Sequence, residues 1–249
     1  MTSPVVLITG ALTGIGRTTA LAFARNGARV VVSGRREDSG RALVGELAAA
    51  GAEAAEFIRA DVRNEDEVRR LIDGTVARFG RLDVAVNNAG TEGQPGSLQE
   101  QTAENYSTVF DTNVLGTLLS LKHELRVMQA QGKGAIVNLS SIVGHKALPG
   151  APLYVASKHA VEGLTRAAAL EAAAFGVRVN AVAPGPIETG MLDRFAGSAE
   201  AKTGLLASVP LKRAGSPEEI AQAIVYAASD AAAFMTGHIL AVDGGMTVQ

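Results

Sequence analysis

Cysteine is absent from the 249 residues, which excludes a disulfide scaffold, a thiolate nucleophile and any cysteine-ligated metal site. Charge of one sign is lacking too. Lys and Arg number 23 and Asp and Glu 25, leaving a formal charge of −2 and no broad basic field to hold a phosphate backbone. No nucleic-acid partner is expected. There is no run of about 18 apolar residues, so no membrane span is expected. The first Lys or Arg is Arg17, and the apolar run from Val5 to Ile8 stops at Thr9-Gly10, so no signal peptide is expected and the reading is of a cytoplasmic protein. The four histidines, His123, His145, His159 and His238, are dispersed without a His-Glu-x-x-His motif, so no catalytic metal is expected. No linker, low-complexity block or repeat divides the chain, and residues 1–249 read as a single domain.

What is present is an ordinary globular balance, 47% hydrophobic and 19% charged, with 28 glycines. Pro4 to Thr9 is a short apolar run ending at Gly10, followed by a helical pattern from Gly14 to Asn26 and a second run, Ala28 to Ser33. Two such runs separated by a helix make a βαβ unit and favour a parallel sheet. The alternation continues with a helix near Ser39 to Ala50, a strand near Ala54 to Arg59, a helix near Glu65 to Phe79 and a strand at Leu82 to Val86. A long helix follows from Thr102 to Ala130, then a strand at Gly134 to Leu139, a helix near Pro152 to Phe175 and a strand at Val177 to Val182. The tail adds a helix at Pro217 to Ala228 and a strand at His238 to Val242. Between Gly185 and Gly215 the rhythm breaks, where a simple βα connection needs only about 2 to 6 residues. That excursion reads as a substrate lid, near residues 186–215, or as a surface insertion.

The glycines of Thr9-Gly10-Ala11-Leu12-Thr13-Gly14-Ile15-Gly16 lie between the first strand and the first helix, where backbone N–H groups can hold a pyrophosphate if no Cβ intervenes. Taken alone, such a turn is equally a plain tight turn. Dinucleotide sites place a carboxylate about 20 residues further on for a ribose 2′-hydroxyl, or an Arg for a 2′-phosphate. Here that point reads Ser33-Gly34-Arg35-Arg36, which favours NADP(H) over NAD(H). The competing account is two solvated arginines at a helix start. Asp61-Val62 and Asn87-Asn88-Ala89-Gly90 follow the third and fourth strands, where an open sheet binds its ligand, and also read as ordinary turns.

Tyr154-Val155-Ala156-Ser157-Lys158 follows Ser140-Ser141 at the end of the fifth strand. Residues four apart share a helix face, so Tyr154 and Lys158 can point into one site, where the ammonium is expected to lower the phenol's pKa from about 10. Tyr154 then exchanges a proton with a substrate hydroxyl or carbonyl oxygen.

Taken together, these motifs resemble the short-chain dehydrogenase/reductase family, in its subgroup of about 250 residues, over nearly the whole chain. The resemblance rests on the glycine turn, Asn87-Asn88-Ala89-Gly90, Asn113, Ser141, Tyr154-x-x-x-Lys158, Pro184-Gly185 and Val242-Asp243-Gly244-Gly245. It implies one Rossmann-like α/β, doubly wound domain with a seven-stranded parallel sheet in the order 3-2-1-4-5-6-7 and helices on both faces. It implies hydride transfer between nicotinamide and a carbinol carbon, with Tyr154 as acid/base, Ser141 bonding the substrate oxygen, Lys158 bonding the nicotinamide ribose and Asn113 fixing a relay water. Asp61 and Val62 would meet adenine, Asn87, Ala89 and Gly90 would back the ribose, and Pro184, Gly185, Ile187 and Thr189 would hold the nicotinamide end. Thr13 departs from NADP-preferring members, which often carry Arg or Lys there. A homotetramer or homodimer is implied, with a structural divalent cation near the Gln249 carboxylate as a further option.

Met191, Leu192 and Phe195 of the lid, with Val143 and Leu148, predict a mostly apolar substrate pocket in which Glu92 is the one polar wall. A secondary alcohol or ketone of moderate size fits it best. The alternatives are a 3-oxoacyl-(acyl-carrier-protein) reductase, for which Ala172-Ala173-Ala174-Phe175 offers no basic docking residues, and an NAD-dependent alcohol or diol dehydrogenase. A dinucleotide-sensing regulator without chemistry is a reading of another class, against which the intact Asn113, Ser141, Tyr154 and Lys158 set counts.

Overall fold

The structure, a computed structural model, describes residues 3–249. Seven strands form one all-parallel sheet in the order β3-β2-β1-β4-β5-β6-β7. They are β1 (Val5–Thr9), β2 (Arg29–Gly34), β3 (Ala54–Arg59), β4 (Val84–Asn87), β5 (Gly134–Leu139), β6 (Val177–Pro184) and β7 (Ile239–Val242). The central strands read as unbroken apolar runs because helices cover both their faces.

Successive side chains of a strand take opposite faces, which sorts the core into two halves. Val6, Ile8, Val30 and Val32 pack beneath helices α1 (Gly14–Arg25), α2 (Glu37–Ala49) and α9 (Pro217–Ala228), through Phe23, Leu47 and Ile224 among others. On the other face Leu7, Val31, Ala85 and Ile136 meet Leu71, Met128 and Ala169 of α3 (Glu65–Phe79), α5 (Gly116–Gln131) and α6 (Pro152–Ala172). Helix ends follow local chemistry. The Asn64 side chain accepts from Glu67 N at the start of α3, three acidic residues occupy its first turn, and Gly80 closes it in the left-handed region at φ +78°.

Two connections differ from the sequence expectation. The long helix from Thr102 to Ala130 is broken into α4 (Ala103–Phe110), a π-helical turn at Asp111–Leu115 and α5. The π turn carries Asn113, whose side chain is pulled out of helical register by bonds to Thr91 O (2.9 Å) and Ser157 Oγ (3.0 Å). The excursion after β6 folds into two further helices, α7 (Gly190–Ala196) and α8 (Ala199–Ser208). Its base is clipped by a parallel bridge between Ile187 and Gly215, with Gly215 N bonded to Pro186 O and Glu188 N to Gly215 O, each 2.9 Å. No helix among the described residues is long and apolar enough to cross a membrane.

Every strand points its carboxyl end at one edge of the sheet. Between β1 and β4 the winding reverses, so the connections diverge there and leave a crevice.

Candidate active site

The crevice starts at the glycine turn. The turn is pressed against the exit of β4: Asn88 Nδ2 donates to Thr9 O (3.1 Å) and Gly10 O (2.9 Å). A Cβ on Gly10 would lie 2.7 Å from Ala89 Cα, and one on Gly16 would lie 2.3 Å from Asn88 Nδ2, so neither position tolerates a side chain. Helix α1 begins here, its N-cap Thr13 making no side-chain cap bond and its first turn holding no acidic residue. Its leading N–H groups and dipole are therefore open to an anion, and with the bare glycine backbone beside them the cradle fits the pyrophosphate of a dinucleotide.

At the end of β2, Arg35 and Arg36 are exposed. Their neighbours Arg59 and Arg63 are held by Glu67 and Asp61. Arg35 and Arg36 have no ion-pair partner among the described residues. Ser33 Oγ, buried at the same strand end, is also without a partner. Asp61 receives Arg63 on both carboxylate oxygens, at 2.9 and 2.6 Å, and the bonds to Arg63 hold its carboxyl below the usual range. The Asp61 carboxylate expected at adenine is thus already occupied. Val62 is buried, with its side chain against Gly116 of α5. Asn87 points away from the crevice: its Nδ2 bonds Glu124 Oε2 (3.0 Å) and Asn138 Oδ1 (2.9 Å) in the buried interior.

Beyond Gly90 the crevice deepens into a cavity of about 300 Å³. Ser141, Tyr154 and Lys158 lie together on its wall, with Ile15, Pro184, Gly185, Ile187 and Thr189 on the side toward the glycine turn. Val143 and Leu148 from the connection between β5 and α6, and Met191, Leu192 and Phe195 from α7, make the far side apolar. Glu92 lies on the same wall, and Arg194 Nε reaches its Oε1 at 2.6 Å.

Tyr154 and Lys158 meet as their helical spacing predicts. Lys158 Nζ lies over the Tyr154 ring, 5.6 Å from its centre, and donates to Leu139 O at 2.7 Å. Enclosure pushes the phenol up to about 12, opposed by its hydrogen bond with Ser141 and reinforced by the negative charge of Glu92. Burial pushes Lys158 down to about 8, opposed by the charge of Glu162. The phenol of Tyr154 is thus protonated at neutral pH.

Asn113 is 1% exposed and clamps the other side of the crevice. Its Oδ1 accepts from Thr91 N at 2.8 Å and its Nδ2 donates to Thr91 O, so it fixes the backbone that follows Gly90. A Cβ on Gly90 would stand 3.3 Å from Asn113 Oδ1 and 3.8 Å from Lys158 Nζ, so the three share one junction.

Several site residues had no cofactor or substrate role assigned to them from the sequence. Asn88 braces the glycine turn, Thr91 carries the Asn113 clamp, and Arg194 anchors the lid. Met246 and Gln249 bring the tail to the cavity, and Lys146, on the same wall, donates to Met246 O. His145, next to Lys146, meets Glu162 Oε1 through its Nδ1 at 3.0 Å. Asn88 alone had a signal, since it adjoins Asn87 at a strand exit. The tail and Arg194 carry no local signature because only chain reversal brings them here. Among the described residues no group of three or more His, Asp or Glu is arranged to hold a metal.

Comparison with known proteins gives a consistent set of likenesses. A family model described as enoyl-(acyl carrier protein) reductase matches residues 10–247. An A-factor type gamma-butyrolactone 1′-reductase of Streptomyces virginiae is 44% identical, covering 100% of this chain and 97% of that protein. A cis-4-hydroxycyclohexanecarboxylate dehydrogenase of Sinomonas cyclohexanicum is also 44% identical, covering 98% of this chain and 96% of its own. The solved structure of ElxO with NADP bound superposes with a TM-score of 0.93 at 38% identity over 100% of both chains. NAD+-bound xylitol dehydrogenase does so with a TM-score of 0.93 at 32% identity, over 97% of this chain and 98% of its own.

Proposed function

The chain belongs to the short-chain dehydrogenase/reductase family, and we propose that within it Tyr154, Ser141, Lys158 and Asn113 carry the interconversion of a secondary alcohol and a ketone on an apolar substrate of moderate size. The carrying observation is the convergence of Tyr154, Ser141 and Lys158 on the wall of one largely apolar cavity that opens from the glycine cradle. The bound nicotinamide would supply or accept hydride at its C4. Ser141 and Tyr154, together on the cavity wall, hold the substrate oxygen from one side. Tyr154, kept protonated, donates its proton to that oxygen during reduction and takes it back during oxidation. Lys158, whose pKa is brought to about 8, exchanges protons at near-neutral pH and replenishes the phenol.

Gly10, Thr13, Gly14, Ile15 and Gly16 would receive the pyrophosphate, Ala89 and Gly90 would back the ribose, and Pro184, Gly185, Ile187 and Thr189 would receive the nicotinamide. We assign NADP(H) as the preferred cofactor. The support is the unpaired Arg35 and Arg36 at the end of β2, a strand end with no carboxylate to bond a 2′-hydroxyl. The substrate wall is Val143, Leu148, Met191, Leu192 and Phe195, with Glu92 as its hydrogen-bond acceptor. The same reading takes residues 1–249 as one cytoplasmic domain and assigns a homotetramer or homodimer, supported by exposed Leu118, Leu170 and Phe175 on α5 and at the end of α6.

The test is a pair of thermal-shift titrations with NADPH and NADH, followed by a panel of ketones and secondary alcohols read at the nicotinamide absorbance, with Tyr154→Phe alongside. NADPH should raise Tm more than NADH at equal concentration. Tyr154→Phe should keep that shift and lose about 100-fold or more in turnover. Undiminished turnover by Tyr154→Phe would overturn the catalytic assignment, and a larger shift with NADH would overturn the cofactor assignment.

A further inference from the structure

Glu162 is a carboxylate that the reaction described above does not use, and it is 1% exposed. It lies on α6 one turn beyond Lys158 and two beyond Tyr154, so the three share a helix face. A carboxylate is buried at considerable cost unless its lone pairs are satisfied. Here Oε1 is satisfied by groups of the segment carrying Ser141 and Oε2 by α6 itself. Ser140 Oγ donates to Glu162 Oε1 at 3.0 Å, and His145 Nδ1 meets the same oxygen at 3.0 Å. Arg166 Nη2, from the next turn of α6, donates to Oε2 at 3.2 Å. The intervening Gly144 is held so close that a Cβ on it would lie 2.3 Å from Oε1.

Ser141 and Tyr154 come from different elements, one from the end of β5 and the other from α6. Their relative placement decides whether both reach one substrate oxygen, and Glu162 is the side chain that bonds both elements around Ser141, on its two sides in sequence. We propose that Glu162 is a positioning residue of the reaction: its carboxylate fixes Ser141 opposite Tyr154 by tying the segment from Ser140 to His145 onto α6, and it is the counter-charge that faces Lys158 along the helix. The proposal rests on the reading of Tyr154, Ser141 and Lys158 as the reacting set. The charged and titratable groups around Glu162 are His145 from the β5–α6 connection and Arg166 and Lys158 on α6 itself. Those near Lys158 are Glu162, one turn along α6, and Tyr154, whose ring centre is 5.6 Å from its Nζ, with Glu92 on the same cavity wall.

Two arms of substitution separate the geometric from the electrostatic part, each measured on the cofactor-loaded enzyme with a ketone that the wild type reduces. Glu162→Leu removes both, and is expected to lower kcat about 10- to 100-fold while the cofactor KM stays within about twofold. Glu162→Gln keeps the acceptor for Ser140 but not the charge. It should recover most of kcat at pH 7, and it should move the alkaline limb of the kcat/KM profile to lower pH by about one unit, because the Lys158 ammonium loses its counter-charge. Ser140→Ala and His145→Ala keep the charge, and should lower kcat without moving that limb. A wild-type kcat in Glu162→Leu overturns the positioning role, and an unmoved limb in Glu162→Gln overturns the counter-charge. If Glu162→Leu does not fold, Ser140→Ala and Glu162→Gln decide the same two points. Failure of the underlying reading shows separately, as undiminished turnover in Tyr154→Phe.

Discussion

Arg194 on α7 holds Glu92 at the exit of β4 through an Nε to Oε1 bond of 2.6 Å, with Nη2 a further 3.4 Å from Oε2. The two residues stand 102 positions apart, and their pairing fastens α7 to the exit of β4. Glu92 is 8% exposed whereas the Arg194 side chain is 64% exposed, so the pair is screened on one side only. Arg194→Met should cost about 1 kcal/mol of ketone binding, read as about a fivefold higher KM, with cofactor affinity little changed. Steady-state kinetics with each ligand varied in turn decides it, and an unaltered ketone KM would show that the latch does not shape the pocket.

Arg35→Ala should weaken NADPH binding about tenfold or more and leave NADH within about twofold, since a charge-assisted bond to the 2′-phosphate is available to only one of the two cofactors. Calorimetric titration of both cofactors measures this directly. Equal losses would mean that Arg35 is a solvated residue at the start of α2.

Gly16→Ala places a methyl 2.3 Å from Asn88 Nδ2 and 2.6 Å from Gly10 O. Relieving that overlap must shift the glycine turn or break the Asn88 brace, so a loss of about 1–3 kcal/mol in stability is expected together with weaker cofactor binding. Gly163→Ala on α6 is the matched control, because nothing lies within 4 Å of its Cβ and a helical position gains up to about 1 kcal/mol from alanine. Urea unfolding with and without NADPH distinguishes the two.

Burial raises Glu124 to about 7, and its Oε1 has no partner, as is also true of Asn87 Oδ1 beside it. A carboxyl whose pKa is higher in the folded chain than in the unfolded one stabilises the fold most when protonated. That contribution is complete below about 4.3 and is lost as pH rises through about 7. Glu124→Gln cannot ionise, so it should be more stable than the wild type at pH 8 by about 3 kcal/mol and much less so at pH 5. Urea midpoints at the two pH values give the comparison, and a constant difference would assign the effect to packing.

The sequence by itself determined the sheet and the candidate reacting residues. Runs such as Val30-Val31-Val32 and Ala135-Ile136-Val137 fit strands buried on both faces, and their alternation with helical patterns favours a parallel sheet. Once the strands are parallel, whatever follows each of them arrives at one edge, which is why the glycine turn, Ser141 and the crevice share that side. Helical spacing put Tyr154 and Lys158 on one face, and their company with the glycine turn, Asn113 and Ser141 singled them out. Tertiary structure alone decided what those groups experience. Where the Lys158 ammonium rests depends on where β5 ends beside α6, since it donates to Leu139 O. The break at Asn113 was hidden in a continuous helical pattern, because its cause is a clamp on Thr91, 22 residues away. Glu92 was legible as a polar wall but its partner Arg194 was not, nor was the bond from Glu162 to Ser140. Local periodicity reports which face of an element is buried, whereas electrostatic partners are set by distances between elements, and those exist only after the sheet has closed its layers.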